Sequence, residues 1–133
     1  MGFSLRPEQR AEMVRHADSE YPNEACGLIA GLDGRAEKVF PMRNSEESPV
    51  TYVIDSKDQF QAFSEMEEQG WKLLGIYHSH THTPAYPSPT DVRLAAYPDA
   101  LYLIVSLQNR EEPEIKAYRI NNGTISEERI VVE

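Results

Sequence analysis

The stretch YHSHTHTPAYPSPTD, residues 77–91, brings imidazoles and a carboxylate close together in the chain. His78 and His80 stand two apart at the end of an apolar run. If that run is a strand, its alternation sends both rings to one face. Two neutral imidazoles make half of a tetrahedral zinc site, because each offers a nitrogen with no charge to neutralise. Asp91 is the candidate third ligand, since the Pro-containing loop from His82 to Pro87 can turn the chain back into a helix whose first turn carries that carboxylate. Two histidines and one carboxylate leave a fourth position for water, which separates a catalytic zinc from a structural one. Such a water is acidified towards neutrality, and a nearby carboxylate can take its proton while the metal polarises a scissile carbonyl. Glu24, just before the apolar run that begins at Ala25, is the candidate general base.

Ser88 has two readings. Its hydroxyl could donate to the developing oxyanion, which helps only if the donor is fixed beforehand. Ser88, Pro89, Thr90 and Asp91 also spell a helix start, with Ser as N-cap, Pro as first helical residue and Asp at the capping-box position. Taken alone, S-x-x-D is more often a cap than a catalytic pair, and the two roles are compatible. His82 is read as exposed or substrate-facing instead of a third imidazole ligand, because Thr83-Pro84 argues for a loop. His16 is read as a solvent-side helix residue and Cys26 as a buried structural thiol. Arg43 is read as a solvated loop charge; the alternative is a guanidinium gripping the free carboxylate of a leaving amino acid. Tyr77 and Tyr86 are read as core beside a strand end, with lining of the cleft as the alternative.

These residues need elements to position them. Pro7 to about Glu20 reads as a helix, with Pro in the first turn, Glu8 at the positive end and Met13, Ala17 and Tyr21 at helical spacing. Ala25–Gly31, Val39–Met42 and Tyr52–Ile54 read as strands, the last two joined by the polar loop RNSEESP, and a second helix follows. That helix spans Ser56–Gln69, capped at Ser56, with Phe60, Phe63 and Met66 as one apolar face and Gly70 as its stop. Lys72–Ser79 and Leu101–Leu107 are strand-like, with a helical segment from about Pro89 to Tyr97 ahead of the latter. Ile115–Ile120 alternates, and Asn122-Gly123 marks a hairpin turn into Ile125–Val132. The order predicts an α/β layer structure with a mixed sheet and helices packed on it.

Bulk properties narrow the function. At 133 residues with 40% hydrophobic and 26% charged residues, the chain suits a single globular domain over residues 1–133. The net charge of −9 repels phosphate backbones and argues against nucleic acid. No apolar stretch approaches the roughly 20 residues of a membrane helix, and MGFSLRPEQR lacks the apolar core of a secretory signal, so a cytoplasmic location is expected. One cysteine excludes an internal disulfide and fits a reducing compartment.

The five spaced residues resemble the JAMM or MPN-plus metalloproteases. Their signature is a distant Glu followed by His-x-His, seven residues, Ser, two residues and Asp. Here Glu24 lies in NEACGLIAG, and His78, Ser79 and His80 are followed by Thr81 to Pro87, Ser88, Pro89, Thr90 and Asp91. The resemblance implies that His78, His80 and Asp91 bind zinc, that Glu24 is the base and that Ser88 assists the oxyanion. The NEACG opening, the YHSHT run, the AYPS-x-TD segment and the YLIVS strand are most similar to bacterial stand-alone peptidases that act on ubiquitin-like sulfur-carrier proteins. Such peptidases cut after the carrier's C-terminal Gly-Gly and release cysteine or a similar amino acid. The implied fold is the MPN fold, related to the cytidine deaminases. The alternatives are an isopeptidase that removes ubiquitin-like modifiers and a catalytically silent MPN scaffold module, which typically lacks the ligands. A zinc deaminase is excluded because its paired cysteines are missing.

Overall fold

The computed structural model describes residues 2–133. Two adjacent strands occupy the middle of its sheet. β2 (Cys26–Leu32) and β4 (Lys72–His80) pair antiparallel, with Cys26 opposite His78 and Leu28 opposite Ile76. The other elements, in chain order, are β1 (Phe3–Leu5), α1 (Pro7–Glu20), β3 (Arg35–Met42), α2 (Ser56–Gln69), α3 (Pro89–Leu94), β5 (Leu101–Ser106), β6 (Glu114–Asn121), β7 (Thr124–Glu128) and β8 (Ile130–Val132). All strands join one mixed sheet in the order β7-β6-β5-β4-β2-β3-β1-β8. The β4–β5 pair is parallel and is connected through α3, whereas β2–β3, β5–β6 and β6–β7 are antiparallel. Two hairpin turns, Asp33-Gly34 and Asn122-Gly123, have positive φ at both residues, the geometry that matches strand twist.

Alternation along the strands divides the core. Ala25, Ile29, Tyr77, Leu103 and Val105 pack with Met13 and Ala17 of α1 on one face. Cys26, Leu28, Ile76, Tyr102 and Ile104 pack with Ala62 and Met66 of α2 on the other. Gly27 lets the central strands sit this close: a Cβ there would lie 2.2 Å from the Tyr77 ring and 2.6 Å from the Phe40 carbonyl oxygen.

The structure corrects several expectations. Tyr52–Ile54 is not a strand; only Ile54 makes a bridge, to Asn44, and Val53 N–H donates to the Asn44 side-chain oxygen instead of to a strand partner. α3 stops at Leu94 instead of Tyr97, because the Tyr102 hydroxyl accepts from the Ala96 and Tyr97 N–H groups and Pro98 disfavours helix before it. Residues 125–132 split into β7 and β8, the latter leaving β6 to run parallel with β1, a strand too short to announce itself. On α2 the inward face is Ala62 and Met66, while Phe60 is 74% exposed. His16 is half-buried, and its Nδ1 lies 2.7 Å from the Tyr77 hydroxyl, so it is an internal hydrogen-bonding group and not a solvent-side residue.

Candidate metal centre

The site forms where the carboxyl end of β4 meets the amino end of β2. Antiparallel pairing of Cys26 with His78 carries on past the strand end, since Ser79 N–H donates to the Ala25 carbonyl at 3.0 Å. The same register puts Glu24 across from His80. Opposed residues of an antiparallel pair share a face, so Glu24, His78 and His80 all project to the α2 and α3 side. Ser79 points the other way, and its Oγ accepts from Ala25 N–H at 2.7 Å, pinning the two strand ends together.

Asp91 arrives on the first turn of α3. Ser88 is the N-cap, its Oγ accepting from Asp91 N–H at 3.0 Å while Asp91 Oδ2 accepts from Ser88 N–H at 2.9 Å. Both sequence readings of Ser88 remain open to it, because the hydroxyl hydrogen is not used by the cap. Asp91 Oδ2 lies 2.9 Å from His80 Nε2 and 3.2 Å from His78 Nε2, and the two imidazole nitrogens are 3.1 Å apart. These atoms form the one such group of possible metal-ligating atoms among the described residues.

Proton counting tests whether a cation fits. His80 Nδ1 sits 2.9 Å from the Pro84 carbonyl, which can only accept, so Nδ1 carries the hydrogen and Nε2 of the neutral ring presents a lone pair. That lone pair faces a carboxylate oxygen and a second imidazole nitrogen. Protonating His78 instead would place an imidazolium at 1% exposure, and burial lowers its pKa despite the hydrogen bond and charge of Asp91. A cation relieves the convergence. Ligands at the roughly 2.0–2.1 Å of zinc–nitrogen bonds sit about 3.3 Å apart in a tetrahedron, close to the separations found here. The three residues therefore form a possible metal-binding triad.

The surroundings polarise these groups. Burial opposes charge on His80, but its bonds to Asp91 and the Pro84 carbonyl, with the charges of Asp91 and Glu24, raise its pKa. Burial also opposes charge on Asp91, yet His78 and His80, in the forms that carry a hydrogen towards it, hold its carboxyl well below the usual carboxylate range. Glu24 is 4% exposed, and its Oε1 has no hydrogen-bond partner. Burial pushes its pKa up to about 8, with His80 opposing the rise and Asp91 adding to it. A buried, partnerless carboxyl beside a possible metal-binding triad is poised to exchange protons. Cys26 is fully buried on the same face, and burial pushes its thiol up to about 12, so it is inert.

The remaining candidates lie outside the triad. His82 is exposed and bonded to the Tyr21 hydroxyl and Thr81 Oγ1, as a loop residue should be. Arg43 is exposed, and Tyr77 is buried on the opposite face of the sheet. Tyr86 is 56% exposed and packs edge-on against Tyr118. Sequence reasoning missed Tyr52, whose ring stacks on His78 at 4.6 Å between centroids, and Asn44, buried beneath the same loop. No spacing rule ties a loop tyrosine to a strand histidine. The Asn44 signal was faint: an Asn opening a polar loop.

The chain is similar to several known proteins. The CysO-cysteine peptidase of Mycobacterium tuberculosis is 46% identical over 130 residues, covering 96% of this chain and 89% of its own. The desampylase of Pyrococcus furiosus is 35% identical over 128 residues, with the same coverages of 96% and 89%. The solution structure of a Desulfitobacterium hafniense protein superposes with a TM-score of 0.89 at 38% identity, covering 98% of this chain and 92% of that one. A JAB1/MPN domain protein from Archaeoglobus fulgidus shares the fold, with a TM-score of 0.63 at 20% identity over 98% of this chain and 99% of its own. The mixed sheet and its flanking helices are thus the JAB/MPN fold anticipated from the signature. Residues 7–121 match the family described as prokaryotic homologs of the JAB domain, and the chain belongs to that family.

Proposed function

We propose that this chain, acting as one peptidase domain over residues 1–133, is a zinc-dependent peptidase. In this reading it hydrolyses the amide bond after the C-terminal Gly-Gly of a ubiquitin-like sulfur-carrier protein and releases cysteine or a similar amino acid. The observation that carries the reading is a buried carboxyl without a partner, Glu24, on the same sheet face as three convergent donors, His78, His80 and Asp91. Zinc, when bound, supplies Lewis acidity that acidifies water and polarises a carbonyl. Glu24 takes the proton of the attacking water and delivers it to the departing amine. With a cation held by His78, His80 and Asp91, the Glu24 pKa would fall from about 8 towards working pH, where a base is most effective. Ser88, fixed by its cap, turns its hydroxyl hydrogen to the carbonyl oxygen as charge builds there. The carrier substrate is supported by the 46% identity to a CysO-cysteine peptidase. A cytoplasmic setting accords with the lone buried thiol.

Mass spectrometry of a carrier ending in Gly-Gly plus one amino acid tests the reading. Loss of that single residue is expected with enzyme, abolished by a chelator and restored by zinc. An unchanged mass with zinc present would favour the catalytically silent scaffold. Glu24→Gln should keep its zinc while losing turnover; loss of metal as well would mean that Glu24 is a ligand. The 35% identity to a desampylase supports the second reading, an isopeptidase. A carrier joined through a lysine side chain separates the two, since an isopeptidase cleaves it with the higher kcat/KM.

A further inference from the structure

The side chain of Glu24 is held by no hydrogen bond at Oε1, and Glu24 precedes the first residue of β2, where ladder bonds begin. Its position must come from its main chain. Both main-chain polar groups of Glu24 are tied to the loop after β3: Glu24 N–H donates to the Ser48 carbonyl at 2.8 Å, and the Glu24 carbonyl accepts from Asn44 Nδ2 at 3.0 Å. Asn44 Nδ2 also donates to the Thr51 carbonyl at 3.1 Å, while Asn44 Oδ1 accepts from Glu46 N–H at 3.0 Å and Val53 N–H at 3.1 Å. Two carbonyls on one side and two N–H groups on the other allow only one orientation of the amide, and every bond it can make is made. Asn44 is 3% exposed, so its carboxamide cannot turn to water in place of these partners.

The loop that Asn44 folds carries Tyr52, stacked on His78, and the Pro49 carbonyl, which accepts from Thr81 Oγ1. We infer that Asn44 is a positioning residue: its carboxamide fixes the main chain of Glu24 and the Tyr52 loop against the donor triad as one unit. The inference rests on the proposed role of Glu24 as base only for its kinetic consequence; the mechanical tie stands on the hydrogen bonds alone. Aspartate cannot substitute, because it keeps the acceptors for Glu46 and Val53 but loses both donors to Glu24 and Thr51.

Two arms test it. In amide hydrogen exchange of the full chain, Asn44→Ala should speed exchange at Glu24 at least roughly tenfold while Ile29 and Leu103 in the core stay protected. Asn44→Asp should do the same at Glu24 yet spare Val53, and it serves as the variant if Ala prevents folding. Unchanged exchange at Glu24 in a folded variant overturns the inference whether or not the substrate has been identified. In the kinetic arm, Asn44→Ala should lower kcat on the Gly-Gly conjugate by about 10²-fold, as an ångström-scale misplacement does, with zinc content intact. In a Glu24→Gln background the same substitution should change the residual rate less than about twofold, since there is no base left to misplace. Equal losses in both backgrounds would make Asn44 merely structural and overturn the inference. Failure of wild type to cleave the conjugate would count against the proposed function and leave the exchange arm to decide on Asn44.

Discussion

Glu24 should cost the protein stability, and removing its charge should return it. The carboxyl is 4% exposed with Oε1 unpaired, and burial lifts its pKa from 4.5 to about 8. The folded state therefore keeps a proton that the unfolded chain releases between those values. Because the native state binds more protons in that window, stability falls as pH rises through it and is flat above. At 1.36 kcal/mol for each pH unit the full difference is about 4–5 kcal/mol, and relaxation around the charge reduces it to about 3 kcal/mol. Glutamine has nearly the same shape and no charge. In chelator, Glu24→Gln should melt within a few degrees of wild type at pH 5 and about 10 °C higher at pH 9, at roughly 3 °C per kcal/mol for a chain of this size. Differential scanning calorimetry at the two pH values, with and without zinc, is the assay. Zinc should shrink the gap at pH 9, because a neighbouring cation offsets the buried charge. A gap of equal size at both pH values, or a destabilised Gln variant at pH 9, would refute the reasoning.

Two further outcomes follow from local geometry. Ser88→Ala removes the N-cap bond to Asp91 and should destabilise the fold by about 1 kcal/mol in urea titration. It should also lower kcat at least tenfold with KM little changed, whereas Ser88→Thr restores both; wild-type kcat in the Ala variant would remove Ser88 from the chemistry. Gly27→Ala drives a methyl to 2.2 Å from the Tyr77 ring and 2.6 Å from the Phe40 carbonyl oxygen, and should cost about 3 kcal/mol or abolish soluble expression. A wild-type melting temperature would mean that β2, β3 and β4 are not packed as described.

What the sequence discloses depends on how local the determining interaction is. The His78/His80 alternation, the Ser88–Asp91 cap and the Asn122-Gly123 turn each lie within a few residues, and all are legible in the sequence. α1 and α2 have the bounds the sequence predicts, because Pro7 and Gly70 are local signals, although the N-cap of α2 is Asp55 and not Ser56. Elements set by distant partners are not so legible. β1 and β8 exist because they pair with each other across nearly the whole chain, with Phe3 opposite Ile130. The early end of α3 depends on a phenol from β5, and the false strand at Tyr52–Ile54 depends on a buried amide standing in for a sheet neighbour. His16 was misjudged for the same reason: its partner, Tyr77, is on another element.

Glu24 is far in the chain from the other four signature residues for a topological reason that can be stated in terms of direction. A carboxylate base must reach the same space as two strand-end imidazoles, and a strand running parallel to β4 would need to offer it at its own carboxyl end. β2 runs antiparallel, so its entry lies beside the exit of β4, and a residue two before Cys26 falls opposite one two beyond His78. Parity then does the rest: Glu24 and Cys26 share a face, as do His78 and His80, whereas a one-residue slip would bury the carboxyl under α1 among Ala25, Ile29 and Tyr77. Ser79, from that opposite face, locks the parity by accepting from Ala25 N–H. The crossover from β4 to β5 must pass over the sheet to make a parallel pair, which brings the start of α3, and Asp91 with it, above the ends of both strands. The middle residue of His-Ser-His is thus as much a determinant of the site as the two histidines, since it holds the register in which Glu24 lies across from His80.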